Sequence, residues 1–207
     1  NHKDNFRRYN RKWKKLNSDK VNSSARKRYS KNVDRMRTYD KSWRDKSKIE
    51  ALNLISNCNI ICRKCKITDV NVLQINHKDL KPKDEKHGIK FYRKIISGER
   101  KTNDLELLCG NCNILYDYEV GKRKYVGKNS RAKRRVEAIN ILGGKCVNCG
   151  ITDILILQIN HLFGKGRKDR KNRDRHTIYK EIVDGINRHL FDVRCENHNI
   201  LYSINHL

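Results

Sequence analysis

Apolar residues along this chain fall in short runs at two spacings, and the spacing changes in step with the cysteines. Residues 131 to 142 mix basic and apolar positions at helical spacing, and Gly143-Gly144 supplies the flexible stop expected at a helix C-terminus. A short helix leads in the same way into the earlier cysteine pair, through Glu50-Ala-Leu-Asn. Ile154 to Ile159 is a β-rich run ending at an Asn-His step, and Leu190 to Arg194 predicts a second short strand. Between them a helix is expected around Ile178 to Gly185, and the chain after Cys195 reads as a final helix. The start of the chain differs. Tyr9 with Trp13, Tyr29 with Val33 and Tyr39 with Trp43 stand at the i, i+4 spacing that shares one helix face. Apolar content there is too low to offset ordering entropy, so a basic arm is expected that is helical or disordered alone and helical once bound.

The pattern occurs twice because the sequence does. Cys62-Arg-Lys-Cys65-Lys-Ile-Thr-Asp69, then Leu73-Gln-Ile-Asn-His77, recurs 84 residues later as Cys146-Val-Asn-Cys149-Gly-Ile-Thr-Asp153, then Leu157-Gln-Ile-Asn-His161. Cys109-Gly-Asn-Cys112-Asn-Ile-Leu-Tyr116 recurs as Cys195-Glu-Asn-His198-Asn-Ile-Leu-Tyr202, and Tyr92-Arg-Lys-Ile95 as Tyr179-Lys-Glu-Ile182. The chain is expected to divide into an arm (residues 1–48), a first module (49–120), a basic linker (121–130) and a second module (131–207). Each module reads as a small α+β unit.

Core material for such modules is thin. Of 207 residues 36% are hydrophobic and 7% aromatic, with a mean hydropathy of −0.92, which argues against one large apolar core. Lys and Arg number 49 against 23 Asp and Glu, a formal net charge of +26. Such a surplus repels itself in the compact state and points to a polyanionic partner, nucleic acid above all. AT-rich coding can inflate lysine but cannot create the 21 arginines, the side chains that grip phosphate bidentately. Residues 1–48 alone hold 18 basic and 5 acidic side chains, whereas residues 49–120 are nearly neutral. Candidate phosphate contacts are Arg7, Arg8, Arg11, Lys12, Arg26, Lys27 and Arg28 in the arm and Lys122, Arg123 and Lys124 in the linker. In the second module, Gly164-Lys165-Gly166 opens a cationic loop with Arg167, Lys168, Arg170 and Lys171, suited to close phosphate approach. Runs such as Ile154 to Leu157 fall far short of the roughly 20 apolar residues that span a bilayer, so no membrane partner is expected.

Eight cysteines could form a disulfide framework, but the lysine-rich composition and the paired C-x-x-C spacing argue for metal in an intracellular, reducing compartment such as cytoplasm, nucleoid or organelle matrix. Two residues between sulfurs let one tight knuckle present both thiolates to one ion, and a pair at a helix start closes the tetrahedron. Cys62, Cys65, Cys109 and Cys112 make a four-thiolate zinc set; Cys146, Cys149, Cys195 and His198 replace one thiolate with the other good zinc ligand. Cys58 has no counterpart and is set aside. His87, His176, His189 and His206 read as ordinary loop or surface histidines.

Taken with the cysteine pairs, the Q-I-N-H steps and the closing C-x-x-C-N and C-x-x-H-N, residues 49 to 207 resemble the HNH endonuclease superfamily in two tandem copies. The resemblance implies a zinc-pinned ββα-metal fold, treble-clef-like, and a one-metal phosphodiesterase. His77 and His161 match the general base, and Asn76, Asn160, Asn113 and Asn199 match the ligands of a catalytic Mg2+ or Mn2+ ion, the zinc being structural and separate. The first ligand slot is commonly Asp in that superfamily and is Asn here, a weaker holder of a hard cation. The middle residue of the motif has only Asn103 or Asp104 as approximate matches in module one and no clear match in module two.

Two functions follow. The favoured one is a metal-dependent endonuclease, of the homing or mobile-element kind, acting on DNA or RNA with DNA preferred and with module two as the cutting copy. The alternative is a catalytically inactive duplicated scaffold that binds nucleic acid, as a ribonucleoprotein component or a regulator. Oligomeric state is not encoded in any feature of the sequence.

Overall fold

A computed structural model describes residues 2–79, 85, 87–123, 130–162 and 174–205. The described residues form an α+β chain of eight α-helices and two small antiparallel sheets, and it divides into two compact units, Asn1–Ile49 and Glu50–Leu207. No described helix is long and apolar enough to cross a membrane.

The first unit is helical: α1 (His2–Leu16), α2 (Ser18–Lys31) and the start of α3 (Val33–Ser56). Asparagines break the helices. Asn17 and Asn32 leave the helical backbone, and their amides donate back to Trp13 O at 3.0 Å and Arg28 O at 3.1 Å. No residue from 4 to 46 is buried, and Phe6, Tyr9, Trp13 and Leu16 are all exposed. The helices thus lack a hydrophobic core of their own, as the low apolar content dictates.

The second unit holds both modules, each ordered strand, helix, strand, helix. Module one runs β1 (Leu73–His77), α4 (Ile89–Ile96), β2 (Leu105–Cys109), α5 (Gly110–Glu119). Module two adds α6 (Ser130–Ile141) and runs β3 (Leu157–His161), α7 (Arg175–Val183), a 3-10 turn (Arg188–Leu190), β4 (Phe191–Cys195), α8 (Glu196–Asn205). The two hairpins share a register: Leu73 pairs with Cys109 and His77 with Leu105, as Leu157 pairs with Cys195 and His161 with Phe191. Strand β3 starts later than the run from Ile154 suggests. Asp153 accepts from Leu155 N through its side chain at 3.0 Å and from Ile156 N through its carbonyl at 3.1 Å, so residues 154–156 form a turn. Gly143 and Gly144 stop α6 with φ of +105° and +66°.

Small cores sit under each hairpin. Leu52, Val72, Leu73, Phe91 and Leu108 are fully buried in the first; Ile139, Leu157 and Val193 in the second. Neither core is closed by its own module alone. Ile200 and Leu201 of α8 pack on the first core, while Ile114, Leu115 and Tyr118 of α5 pack on the second. Asn111 N donates to Asn197 Oδ1 and Asn197 N to Asn111 Oδ1, both at 3.0 Å. These asparagines are repeat equivalents, so the two helix starts exchange the same bond as two-fold partners would. Beside them, a Cβ on Gly110 would stand 2.9 Å from Glu196 Cγ and from Ile200 Cδ1. The repeat pair Gly110 and Glu196 differs for that reason: one side must be small where the other is large.

Candidate metal centres and the strand-end histidines

Each cysteine knuckle is built by backbone bonds before any metal is considered. Cys62 N donates to Ile67 O and Cys146 N to Ile151 O, both at 2.8 Å, folding the chain around the sulfurs. The residue after the second cysteine is left-handed in both, Lys66 at φ +63° and Gly150 at φ +73°. Arg63 N and Val147 N donate to Leu107 O and Val193 O at 2.9 Å, tying each knuckle to the second strand of its hairpin. The other ligand pair opens the following helix.

These bonds gather two four-ligand clusters: Cys62, Cys65, Cys109 and Cys112, and Cys146, Cys149, Cys195 and His198. Cys65 and Cys109 sulfurs lie 3.6 Å apart and Cys149 and Cys195 sulfurs 3.9 Å apart. A disulfide would hold them at about 2 Å, whereas zinc–sulfur bonds of about 2.3 Å in a tetrahedron hold them about 3.8 Å apart. His198 turns Nδ1 to the cluster, 3.2 Å from Cys195 Sγ and 3.6 Å from Cys146 Sγ. Both sets therefore have a geometry suited to zinc.

Electrostatics point the same way. Burial pushes the Cys62 thiol up, but N–H groups of Cys65, Cys109 and Lys64 outweigh it and bring it down to about 7. Burial, then the neighbouring Cys109, push Cys112 far above an ordinary thiol, and burial with the adjacent Cys146 and Cys195 raises Cys149 to about 11. Burial likewise pushes the Cys146 thiol up, but backbone N–H groups of Cys195, Asn148 and Cys149 outweigh it and leave it lowered; the full set ionises together only around a cation.

The hairpins end in the Asn-His steps, and alternation along a strand sends the two side chains to opposite faces. Asn76 faces its cross-strand partner Glu106, donating to Oε1 at 2.9 Å, and Asn160 does the same to Asp192 Oδ1 at 2.9 Å. Asn113 joins this face from α5, donating to Gln74 Oε1 at 2.7 Å. Asn199, its equivalent in α8, is half-buried. His77 turns the other way and is only 3% exposed. Its Nε2 meets Glu85 Oε2 at 2.9 Å and His87 Nε2 at 3.0 Å, and its Nδ1 lies 3.5 Å from Asp104 Oδ2. His87 stacks between His77 and Phe91, with ring centroids 5.2 and 4.6 Å away, so it is no ordinary surface histidine. His161 is half-buried and meets Phe191 edge-on at 4.9 Å.

Among the phosphate candidates, Arg7, Arg8, Arg11, Lys12, Arg26, Lys27 and Arg28 are all exposed on α1 and α2. Lys122 lies over the Tyr116 ring at 5.0 Å, and Arg123 pairs with Asp117 at 3.1 Å. Lys124, Lys165, Arg167, Lys168, Arg170 and Lys171 lie outside the described residues. A cationic feature that the sequence does not disclose is a cavity of about 360 Å³ lined by Arg123, Arg131, Arg135 and Arg175 with Tyr118 and Tyr179. Burial lowers the Arg135 guanidinium from its ordinary value, and it donates to the carbonyls of Ile154 and Leu157.

The acids beside the asparagines also escape a reading of the sequence by motif. Glu106 and Asp192 each stand three residues before the third ligand, so aligning the repeats would have found them. Glu85 and His87 are echoed in sequence by Asp174 and His176, but that pair is used differently, Asp174 accepting from Thr177 N at the start of α7 and His176 meeting Arg134 at 2.7 Å. Comparison of the chain with models of known families, with curated proteins and with solved structures finds no match.

Proposed function

We propose that this chain binds nucleic acid through its arginine-rich arm and cuts it at module two, as a metal-dependent endonuclease resembling the HNH superfamily with DNA the preferred substrate. In this reading each four-ligand cluster holds a structural zinc ion. The observation that carries it is the repeated ββα unit, whose four-ligand cluster pins a hairpin ending in Asn-His against the helix that bears the next asparagine.

Module two is the cutting copy because His161 is half-buried and is followed in sequence by Lys165, Arg167 and Lys168, whereas His77 is only 3% exposed. His161 takes a proton from the attacking water, a role a neutral imidazole fills near neutral pH. Asn160 commits its amide nitrogen to Asp192, which leaves its carbonyl oxygen as a fixed acceptor. Asn160 and Asn199 would hold the divalent ion; the Asp192 carboxylate fixes the Asn160 amide but is itself paired with Arg194 at 2.6 Å, so the slot stays neutral. A bound Mg2+ or Mn2+ supplies charge that offsets the charge building on the phosphate oxygens. The arginine-lined cavity beside α6 and α7 offers a seat for a further backbone phosphate.

Plasmid nicking with Mg2+ or Mn2+ tests this. His161→Ala is expected to lose nicking by roughly 100-fold or more while binding is kept, and His77→Ala to keep most of it. Absence of cleavage with either ion, with binding intact, would replace this reading with the second one, a zinc protein that binds nucleic acid without cutting it. The enclosure of His77, only 3% exposed, and the pairing of Asp192 with Arg194 favour that second reading.

A further inference from the structure

We propose a third metal site in module one, in which His77, Glu85 and His87 hold a divalent transition-metal ion. This inference is independent of whether the chain cuts nucleic acid. It uses neither thiolate cluster, and it lies on the face of the hairpin opposite Asn76 and Asn113.

The ligand atoms already stand where a coordination sphere needs them. His77 Nε2 is 2.9 Å from Glu85 Oε2 and 3.0 Å from His87 Nε2. Adjacent ligands of an ion bonded at about 2.1 Å stand about 3.0 Å apart at right angles. Two of the three donor pairs stand at that spacing and all three donors lie within 4.8 Å of one another, a set of two imidazoles and a carboxylate that suits Zn2+, Mn2+, Fe2+, Co2+ or Ni2+.

The second observation is the unmet hydrogen bonding of His77. Its Nδ1 is buried without a hydrogen-bond partner, yet Asp104 Oδ2 waits 3.5 Å away. A neutral ring carries one proton. On Nε2, it leaves Nδ1 a bare acceptor before a carboxylate. On Nδ1, it leaves the Nε2 lone pair against a carboxylate and within contact of a second imidazole. A cation at Nε2 resolves both faces: the proton goes to Nδ1 and points to Asp104, while the three lone pairs share the ion. Carboxylate, histidine and metal in that order is how ligating imidazoles are oriented. Arg100 completes the outer shell by donating to Glu85 Oε1 at 2.7 Å and to Asp104 Oδ2 at 2.7 Å, and only at 3.5 Å to Glu85 Oε2, the oxygen that meets His77 at 2.9 Å.

Among the described residues module two shows no such assembly: Leu190 stands at the repeat position of Asp104, and no third cluster accompanies His161. With an ion on Nε2, His77 has no free lone pair to act as a base. Module one thereby becomes a metal-holding copy of a strand-end histidine.

The test is a Co2+ titration of the full chain after both thiolate clusters have been filled with zinc. The expected result is one further Co2+ per chain with weak visible bands and no thiolate-to-cobalt absorption in the near ultraviolet. His87→Ala and Glu85→Gln should each weaken it at least tenfold, and Asp104→Asn by about tenfold through the outer shell, with two zinc ions retained in every variant. Asn113→Ala should leave it unchanged. No third equivalent, or a third equivalent unmoved by His87→Ala and Glu85→Gln, overturns the proposal; loss in Asn113→Ala instead overturns it too, by assigning the ion to the α5 face.

Discussion

Placing one methyl group at the junction of the modules tests how they are joined. Gly110→Ala would put a Cβ 2.9 Å from Glu196 Cγ and Ile200 Cδ1 and 3.1 Å from Asn197 Oδ1. Carbon atoms pack at about 3.5 Å or more, so two neighbours must each give roughly half an ångström. Overpacking of this kind costs about 1–3 kcal/mol. Alanine recovers part of that, up to about 1 kcal/mol, from its better helix propensity. The net expectation is a loss of about 1–2 kcal/mol, or roughly 2–8 °C in the melting temperature of a unit this size. Thermal unfolding of the zinc-loaded chain by circular dichroism measures it. Glu196→Gly, placed on top, removes one of the two clashing groups and should restore part of the loss, a coupling of about 0.5 kcal/mol or more. If Gly110→Ala melts at or above the wild-type temperature, or Glu196→Gly restores nothing, the modules do not dock through these helix starts.

The left-handed knuckle position gives a reciprocal pair of predictions: Gly150→Lys should destabilise module two by about 1–2 kcal/mol, while Lys66→Gly should cost module one little or stabilise it, both read by denaturant midpoints. Equal effects of the two exchanges would mean the backbone there is not constrained. Deleting residues 1–48 removes 18 basic and 5 acidic side chains, so DNA affinity and its salt dependence should both fall, the logarithmic slope by about 0.9 for each phosphate that the arm no longer neutralises. An unchanged slope from a filter-binding series would mean the arm faces something other than phosphate.

Much of the module was legible because it is written twice. The offset of 84 between the knuckles exposed the ligands, and the structure gathers all eight of them into two clusters. The strand and helix order followed from short β-rich runs and from Gly143-Gly144. What stayed hidden lay between distant positions. Nothing in the spacing of Glu85 and His87 says that a loop will fold back on His77, and nothing in four scattered arginines says that they will line one cavity. The strand boundary at Leu157 was set by an aspartate turn that outweighed the β propensity of Ile154. The docking of α5 on α8 also left no periodic trace, since it rests on one glycine and two asparagines.

The claim that everything else builds on is that metal clamps hold these thin cores together. In small zinc peptides the ion contributes on the order of 10 kcal/mol to folding, far more than cores of this size supply. The direct measurement is zinc content alongside the circular dichroism of the full chain, before and after a strong chelator. The account predicts two thiolate-bound zinc ions per chain, one lost in Cys112→Ser and the other in Cys149→Ser, and collapse of both modules on chelation with recovery when zinc returns. A chain that binds no zinc, or keeps its spectrum unchanged after losing it, would contradict the account.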